Sequence, residues 1–395
     1  MLTVFLLAAA TQVSFWGICN RYAFPTQDKN TPEETSPFPP VSVIVCFRNE
    51  AKNIKECLYS ILKQKYTGDF EVVAVDDNST DNSAAIVEEF IKKAGGRLRL
   101  LQPGTTRPGK KDALAFGINN ARYEHILLTD ADCLPRSNRW LSTMTRPLRE
   151  GAEVVLGVGE YAQNDREAFS PSPSPGEIRN GSGGKTSNST VDHFQRFEAI
   201  YVAIKYLSFA QMGLPYMGVG RNLAYQKSFF QRSGGFADHT DLPGGDDDLL
   251  VGGNAEAGKT VCVTQARSRT LSRLSGSWSV FMRQRMRHQS VGFRYQPVHQ
   301  LALGLIALSH GLFFLLGLFL LFSSWWTLAL LIYAVRFVLV LIAFRKSGLL
   351  GDVAGAEKGL KEQGMTVWTL PIFDAMLAPW YLFLAVAGTL PAKKW

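Results

Sequence analysis

Three groups of carboxylates in this chain have a spacing that can hold a cation or move a proton. Asp130 and Asp132 close the run His125-Ile-Leu-Leu-Thr-Asp-Ala-Asp132, one residue apart at the end of an apolar stretch. Asp76 and Asp77 end a second such run, Phe70-Glu-Val-Val-Ala-Val-Asp-Asp77, and Asp246, Asp247 and Asp248 stand together after Gly244-Gly245. Hard oxygen ligands at a D-x-D spacing suit Mg2+ or Mn2+ held together with substrate phosphates. Three adjacent carboxylates repel one another, so at least one should hold its proton more tightly than usual unless a cation compensates. Basic residues stand ready to answer these acids at Gly109-Lys110-Lys111 and along Trp278 to His288, where Arg283, Arg285 and Arg287 recur. A lone D-x-D is ordinarily a solvated turn, and an acidic triplet ordinarily caps a helix. It is the combination in one chain that points to chemistry.

These groups need a scaffold, and the apolar pattern supplies one. Residues 41–47 (Val-Ser-Val-Ile-Val-Cys-Phe) read as a core strand, and Arg48-Asn49-Glu50 opens a helix whose Ile54, Leu58, Ile61 and Leu62 share a face. A strand over 70–76 is followed by a helix start at Asn78-Ser-Thr-Asp81 and a helix over 84–93 that stops at Gly95-Gly96. A third strand over 97–102, a helix entered through Gly109-Lys110-Lys111 and running to Ile118, and the strand from His125 continue the alternation. Such alternation predicts βαβ units and a parallel sheet. Ligands of an open α/β sheet bind beyond the carboxyl ends of its strands, so Asp76, Asp77, Asp130 and Asp132 should enter one crevice. Two acidic strand ends with a basic loop describe a nucleotide-diphosphate site. Neither G-x-G-x-x-G nor a Walker A lysine motif is present. Further on, 152–161 reads as one strand, 194–212 as a helix, and Gly218-Val-Gly220-Arg221-Asn222 as a tight backbone leading into a strand.

Both ends of the chain are apolar. Residues 2–19 are followed by Arg21, Lys29 and a Pro-rich stretch to Pro40, and residues 301–322 and 325–344 are each long enough to cross a bilayer. Arg345 and Lys346 mark a cytosolic return. The segment 365–390 is apolar but broken by Pro371, Asp374 and Pro379; Lys393 and Lys394 favour a re-entrant course over a span. Arg336, near the middle of its segment, needs a partner such as Asp374 or a polar cavity. The expected organisation is a membrane helix at 1–20, a tether at 21–40, an α/β domain at 41–298 and a membrane domain at 299–395. A Ser-, Pro- and Gly-rich insertion at 163–192 cannot bury enough apolar surface to order itself. The 42 Lys and Arg residues outnumber the 34 Asp and Glu, and the resulting +8 charge suits phosphate-rich ligands or an anionic membrane face. Five cysteines without C-x-x-C spacing indicate neither a zinc site nor a disulfide framework.

The strand motif with Arg48-Asn49-Glu50, then Val75-Asp-Asp-Asn-Ser-Thr-Asp81, Gly109-Lys110, and Thr129-Asp-Ala-Asp132 resemble, in order, the inverting family 2 glycosyltransferases of the GT-A fold, over about residues 41–292. The resemblance implies a membrane-bound bacterial enzyme, related to processive polysaccharide synthases, that transfers a sugar from a nucleotide-sugar, with UDP expected, and uses Mg2+ or Mn2+. It implies that Asp77 meets the uracil beside Asp76, that Cys46 lies against the nucleotide, and that Asp130 and Asp132 hold metal and diphosphate. The Gly218–Tyr225 segment, with Arg221, matches the part that lines the sugar and acceptor pocket. In the family's E-D-x-x-L motif Asp246 stands for the Glu, Asp247 for the general base and Leu250 for the Leu. Gln284 and Arg287 match Q-x-x-R-W, with His288 in place of the Trp; Arg287 and Lys110 are candidates to stabilise the diphosphate. The expected acceptor is a lipid-linked or polysaccharide glycan at the cytosolic face of the inner membrane, with no nucleic-acid partner. A processive synthase and a catalytically inactive nucleotide-binding membrane scaffold remain the alternatives.

Overall fold

The computed structural model describes residues 1–24, 38–162, 189–242, 244–348 and 369–388, so residues 163–188 of the expected insertion and 25–37 of the expected tether lie outside the described residues. The chain divides into two compact units: a sheet unit, Thr26–Thr186 with Pro215–Leu274, and a helical unit, Met1–Pro25 with Ser187–Leu214 and Ser275–Trp395.

The sheet unit contains β1 (Val41–Phe47), β2 (Phe70–Asp76), β3 (Leu98–Leu101), β4 (His125–Asp130), β5 (Cys133–Pro135), β6 (Val154–Leu156), β7 (Gly159–Tyr161), β8 (Leu223–Gln226), β9 (Thr260–Cys262) and β10 (Thr270–Ser272). Seven form the main sheet, in the order β3-β2-β1-β4-β8-β6-β9, and β5-β10-β7 form a smaller one. β1 and β2 are almost wholly buried, as near-continuous Val and Ile runs require when helices cover both sheet faces. Val43, Val45, Val72 and Ala74 meet Ile54, Leu58 and Ile61 in the core on one side. The parallel register sets Phe47 opposite Asp76 and Cys46 opposite Asp130, so the acidic strand ends finish level with one another.

Two features depart from the pattern reading. The sheet is mixed, because β8 runs antiparallel to both β4 and β6. β8 follows a long excursion out of the unit, and no short right-handed crossover dictates its direction. The single strand expected over 152–161 is broken into β6 in the main sheet and β7 in the smaller one. Gly157 marks the break: a Cβ there would lie 2.5 Å from the Asn222 side chain, so only glycine lets the strands pass so close.

Among its described residues, the helical unit holds four helices long and apolar enough to cross a membrane: Leu2–Tyr22, Pro297–Leu320, Trp326–Lys346, and Thr369–Val386 within the Thr369–Gly388 helix. The last is one continuous helix with Pro379 inside it. Two further helices, Thr190–Gln211 and Trp278–Gln289, belong to this unit. Their aromatic side chains interlock, with Phe194 ringed by Trp278, Phe281, Phe373 and Trp380. A polar cluster ties the four long helices together. Arg336, fully buried, forms an ion pair through Nη1 with Asp374 and donates from Nε to Gln12 Oε1 at 3.2 Å. Its Nη2 lies 3.1 Å from His310 Nδ1, and His310 Nε2 lies 2.9 Å from the Asp374 carbonyl. An arginine can only donate, so His310 accepts at Nδ1 and donates from Nε2. Gln12 in turn donates to Ser309 Oγ at 2.9 Å. Every charge buried here has a partner, as a low-dielectric layer demands.

Candidate active site

The acidic groups meet at the carboxyl edge of the main sheet, and Lys110 joins them. Gly109, at φ 102°, takes a left-handed conformation that turns the chain into the Lys111–Asn119 helix. From the start of that helix, Lys110 Nζ reaches Asp130 Oδ1 at 3.0 Å and Asp246 Oδ2 at 3.0 Å. The strand that ends in the D-x-D and the acidic triplet, more than a hundred residues apart, therefore share one ammonium.

Asp247 is fixed by backbone donors. The Gly220 N–H donates to its Oδ2 at 2.6 Å and the Asp248 N–H to its Oδ1 at 3.0 Å, so it caps the Asp248–Asn254 helix. A Cβ on residue 220 would stand 3.2 Å from Asp247 Oδ2 and 3.4 Å from Lys110 Nζ, a crowding that glycine avoids. Burial, and next the neighbouring Asp246 charge, push Asp247 up to about 6. Burial would raise Asp246 too, but the Lys110 charge and its hydrogen bond outweigh that and hold it below the usual carboxylate range. The triplet thus splits into one carboxylate made stable and one made basic. Lys110 itself is driven well above its ordinary value: burial opposes its charge, but Asp130, Asp246 and Asp247 prevail.

Asp132 is raised by burial and then by Asp130. Ligand atoms of Asp130, Asp132 and Cys133 lie within 4.8 Å of one another. Two hard carboxylate donors that strain against each other fit a divalent cation, which would relieve their repulsion. Cys133 donates its thiol to Asp132 Oδ1 at 3.3 Å. Arg221 braces the same region, donating from Nη1 to Ser272 Oγ at 3.0 Å and from Nη2 to the Gly159 carbonyl at 3.0 Å, its guanidinium 5.0 Å above the Tyr161 ring.

At the end of β2 the two aspartates differ. Asp76 is taken up by its own turn, accepting from the Ser79 N–H at 2.8 Å and from Gln102 Nε2 at 3.4 Å. Asp77 is held by its N–H on the Phe47 carbonyl at 2.8 Å and accepts from the Thr106 hydroxyl at 2.6 Å. Asn49 and Asn78, both left-handed with φ near 57° and 58°, shape the loops on either side. Cys46 lies beneath, its thiol pushed up by burial within the fields of Lys110, Asp130, Asp246 and Asp77. Cys46, Asp76, Asp77, Lys110, Asp130, Asp132, Arg221, Asp246 and Asp247 all belong to the sheet unit; Gln284 and Arg287 sit on the Trp278–Gln289 helix of the helical unit.

Sequence reasoning passed over several side chains that hold this site. Lys111 is buried and donates to the His239 carbonyl at 2.5 Å and the Leu242 carbonyl at 3.0 Å, anchoring the loop before the triplet. Asn222 accepts from Trp140 Nε1 at 2.9 Å and donates to the Val158 and Ser268 carbonyls at 2.9 and 2.8 Å, which fixes the Gly220-Arg221 turn. Thr106 carried no signal beyond its place near Gly109. The doubled lysine was the one readable cue to Lys111.

The Glycosyl transferase family 2 profile matches residues 42–210, and the profile of Glycosyl transferase family group 2 matches residues 176–344. Glycosyltransferase GlyG of Streptococcus pneumoniae is 36% identical over 118 residues, 30% of this chain and 38% of that protein. The poly-beta-1,6-N-acetyl-D-glucosamine synthase of Staphylococcus epidermidis is 33% identical over 92 residues, 23% of this chain and 21% of that protein. The chain thus spans less than two-fifths of the length of these curated relatives. Among solved structures, the mannosyltransferase PcManGT from Pyrobaculum calidifontis, in complex with GDP-Man and Mn2+, superposes with a TM-score of 0.54 at 17% identity, over 98% of this chain and 96% of that one. At that identity the likeness speaks for the fold. Strand order, acidic strand ends and matched profiles agree: the chain carries a glycosyl transferase family 2 domain with the GT-A fold, together with, among the described residues, four helices of membrane-spanning length.

Proposed function

We propose that the protein is a membrane-bound inverting glycosyltransferase that moves a sugar from a nucleoside-diphosphate sugar, UDP-linked in the first instance, to a lipid-linked or polysaccharide acceptor at the cytosolic membrane face. The observation that carries this reading is the Lys110 ammonium bridging Asp130 and Asp246, with the basic Asp247 beside it. Asp77, braced by Thr106, binds the base of the nucleotide. Asp130 and Asp132 would hold Mg2+ or Mn2+, which supplies Lewis-acid neutralisation of the departing diphosphate when bound. Lys110 offers N–H donors to diphosphate oxygens, and Arg221 keeps the D-x-D region rigid; Gln284 and Arg287 are proposed on the acceptor and leaving-group side. Asp247 takes the proton of the acceptor hydroxyl as that oxygen attacks C1 from the face opposite the diphosphate, which inverts the anomeric centre. A value near 6 leaves it charged at pH 7 while making it a stronger base than an ordinary aspartate. The Gly220 and Asp248 N–H groups fix the direction of its lone pairs. Arg21, Arg345 and Lys346, each in the last turn of its helix, support a cytosolic placement for those ends.

The test is to incubate membranes carrying the full chain with a panel of UDP- and GDP-sugars and follow nucleoside diphosphate release, with and without Mn2+. Calorimetry on Asp132→Asn should lose metal-dependent nucleotide binding. Nucleotide binding without release from any donor would favour the inactive scaffold instead, and binding indifferent to EDTA would remove the D-x-D from the metal.

A further inference from the structure

The helical unit contains a cation for which none of the described residues supplies a hydrogen-bond acceptor. Lys205, on the Thr190–Gln211 helix, has its ammonium 4.6 Å from the centre of the Tyr201 ring and 4.9 Å from that of Tyr381. No oxygen among the described residues accepts a hydrogen bond from it. The carboxylate that acts on it electrostatically, Glu198, is already paired with Arg285 at 2.7 Å. Arg285 opposes the field of Glu198 at Lys205, so among the described residues the charge of Lys205 is offset only in part.

Its position along the helices gives this charge a meaning. Lys205 lies in the field of Cys19, near the end of the Leu2–Tyr22 helix. That end carries Arg21, and it meets the end of the Trp326–Lys346 helix, where Lys346 Nζ donates to the Asn20 carbonyl at 2.8 Å. Basic helix ends of this kind mark the level of the lipid phosphates on the cytosolic side, and tyrosines gather at the same level. A lysine that merely snorkels sends its head out to water. This head is instead clasped between two rings. Burial pulls it down to about 8, as expected of an amine with no fixed anion beside it.

We propose that Lys205, walled by Tyr201 and Tyr381, docks the phosphate group of a membrane lipid, whether a phospholipid headgroup or the phosphate of a lipid-linked acceptor. The inference rests on the reading that these helices cross a membrane, and it makes no use of the transfer reaction. The ammonium would donate to phosphate oxygens while the rings shield the contact from water and strengthen it.

The experiment uses the full chain purified in a phosphate-free maltoside detergent, titrated separately with farnesyl monophosphate, phosphatidylglycerol and inorganic phosphate. Lipid binding is read by 31P line broadening. Lys205→Met, which keeps the reach and removes the charge, should weaken lipid-phosphate binding roughly tenfold or more, and Lys205→Arg should restore it. Tyr381→Ala keeps the amine but opens the cage, and should weaken binding as well, which guards against misreading a poorly folded Met variant. Preference for farnesyl phosphate would identify the acceptor type, and preference for phosphatidylglycerol the bulk lipid. Unchanged binding of both lipids in Lys205→Met overturns the proposal, as does inorganic phosphate binding as tightly as either lipid. Donor hydrolysis is followed in the same samples, because its absence would count against the enzyme reading while leaving the lipid result intact.

Discussion

Asp247→Asn should make the protein nearly inert and, at neutral pH, more stable. Folding carries the Asp247 carboxyl from an unfolded value of about 3.9 to about 6, some two pH units, and each unit is worth about 1.4 kcal/mol. The ceiling on the strain of keeping the charge is therefore about 3 kcal/mol. The amide still accepts from either Gly220 or Asp248 but not from both, which returns about 1 kcal/mol. Partial solvent access trims the rest, so a gain of about 1–2 kcal/mol is expected, or very roughly 2–8 °C in the melting temperature of a domain this size. The sign follows from the direction of the shift. A folded value above the unfolded one stabilises the wild type only at low pH, and that advantage is lost as pH rises through 6. The variant loses nothing over the same range, so its margin over the wild type should be larger at pH 7.5 than at pH 5. Melting curves of both proteins in detergent with EDTA, at the two pH values, test this directly. Transfer measured alongside should fall by ~10²-fold or more in the variant, and wild-type transfer should drop about tenfold per unit below pH 6. A variant less stable at pH 7.5, or a margin indifferent to pH, would show that Asp247 is not strained and would remove the basis for its role.

Three further outcomes are expected. Lys110→Met should move the acid limb of the pH–rate profile to higher pH, because Lys110 lowers both Asp246 and Asp247; an unshifted profile would deny the bridge its electrostatic part. Asn222→Ala leaves the Trp140 indole and the Ser268 carbonyl without partners in the core, while the Val158 carbonyl keeps the Thr270 N–H, and should cost on the order of 3 kcal/mol in a chemical melt while also depressing transfer. Arg336→Met should cost about 3–5 kcal/mol by stranding Asp374, and the double variant Arg336→Met with Asp374→Leu should regain much of it, read as the yield of monodisperse protein in detergent.

Much of the sheet unit was legible because its first half is locally encoded. Apolar runs that end in Asp76 and Asp130, helices between them and a basic Gly109-Lys110 entry are all short-range signals, and they placed the acidic strand ends correctly at one edge. What escaped depends on residues far apart in the chain. The direction of β8 and the split of 152–161 turn on how Gly157 meets Asn222, a contact across 65 positions that no periodicity records. Spacing foretold that one member of the acidic triplet would be raised, but which one depends on Lys110 reaching Asp246, not Asp247. The 194–212 pattern announced an apolar helix. Its place beside the long helices of the helical unit, to which it belongs, is a matter of aromatic packing, with Phe197 stacked on Phe344 and Tyr201 tilted against Trp16.

The polar cluster around Arg336 also sets the level from which the aromatic contacts of its helices are measured. Gln12 and Arg336 stand at the middle of helices of 21 residues. From Asp374, the described helix runs on for 14 residues to Gly388, about 21 Å at a rise of about 1.5 Å per residue. That arm carries Trp380 and Tyr381 to the Thr190–Gln211 helix, where they meet Phe194 and Tyr201. One helix thus neutralises a buried charge at Asp374 and grips its neighbour with aromatic rings two turns further on, so a shift of either contact along the axis would pull on the other.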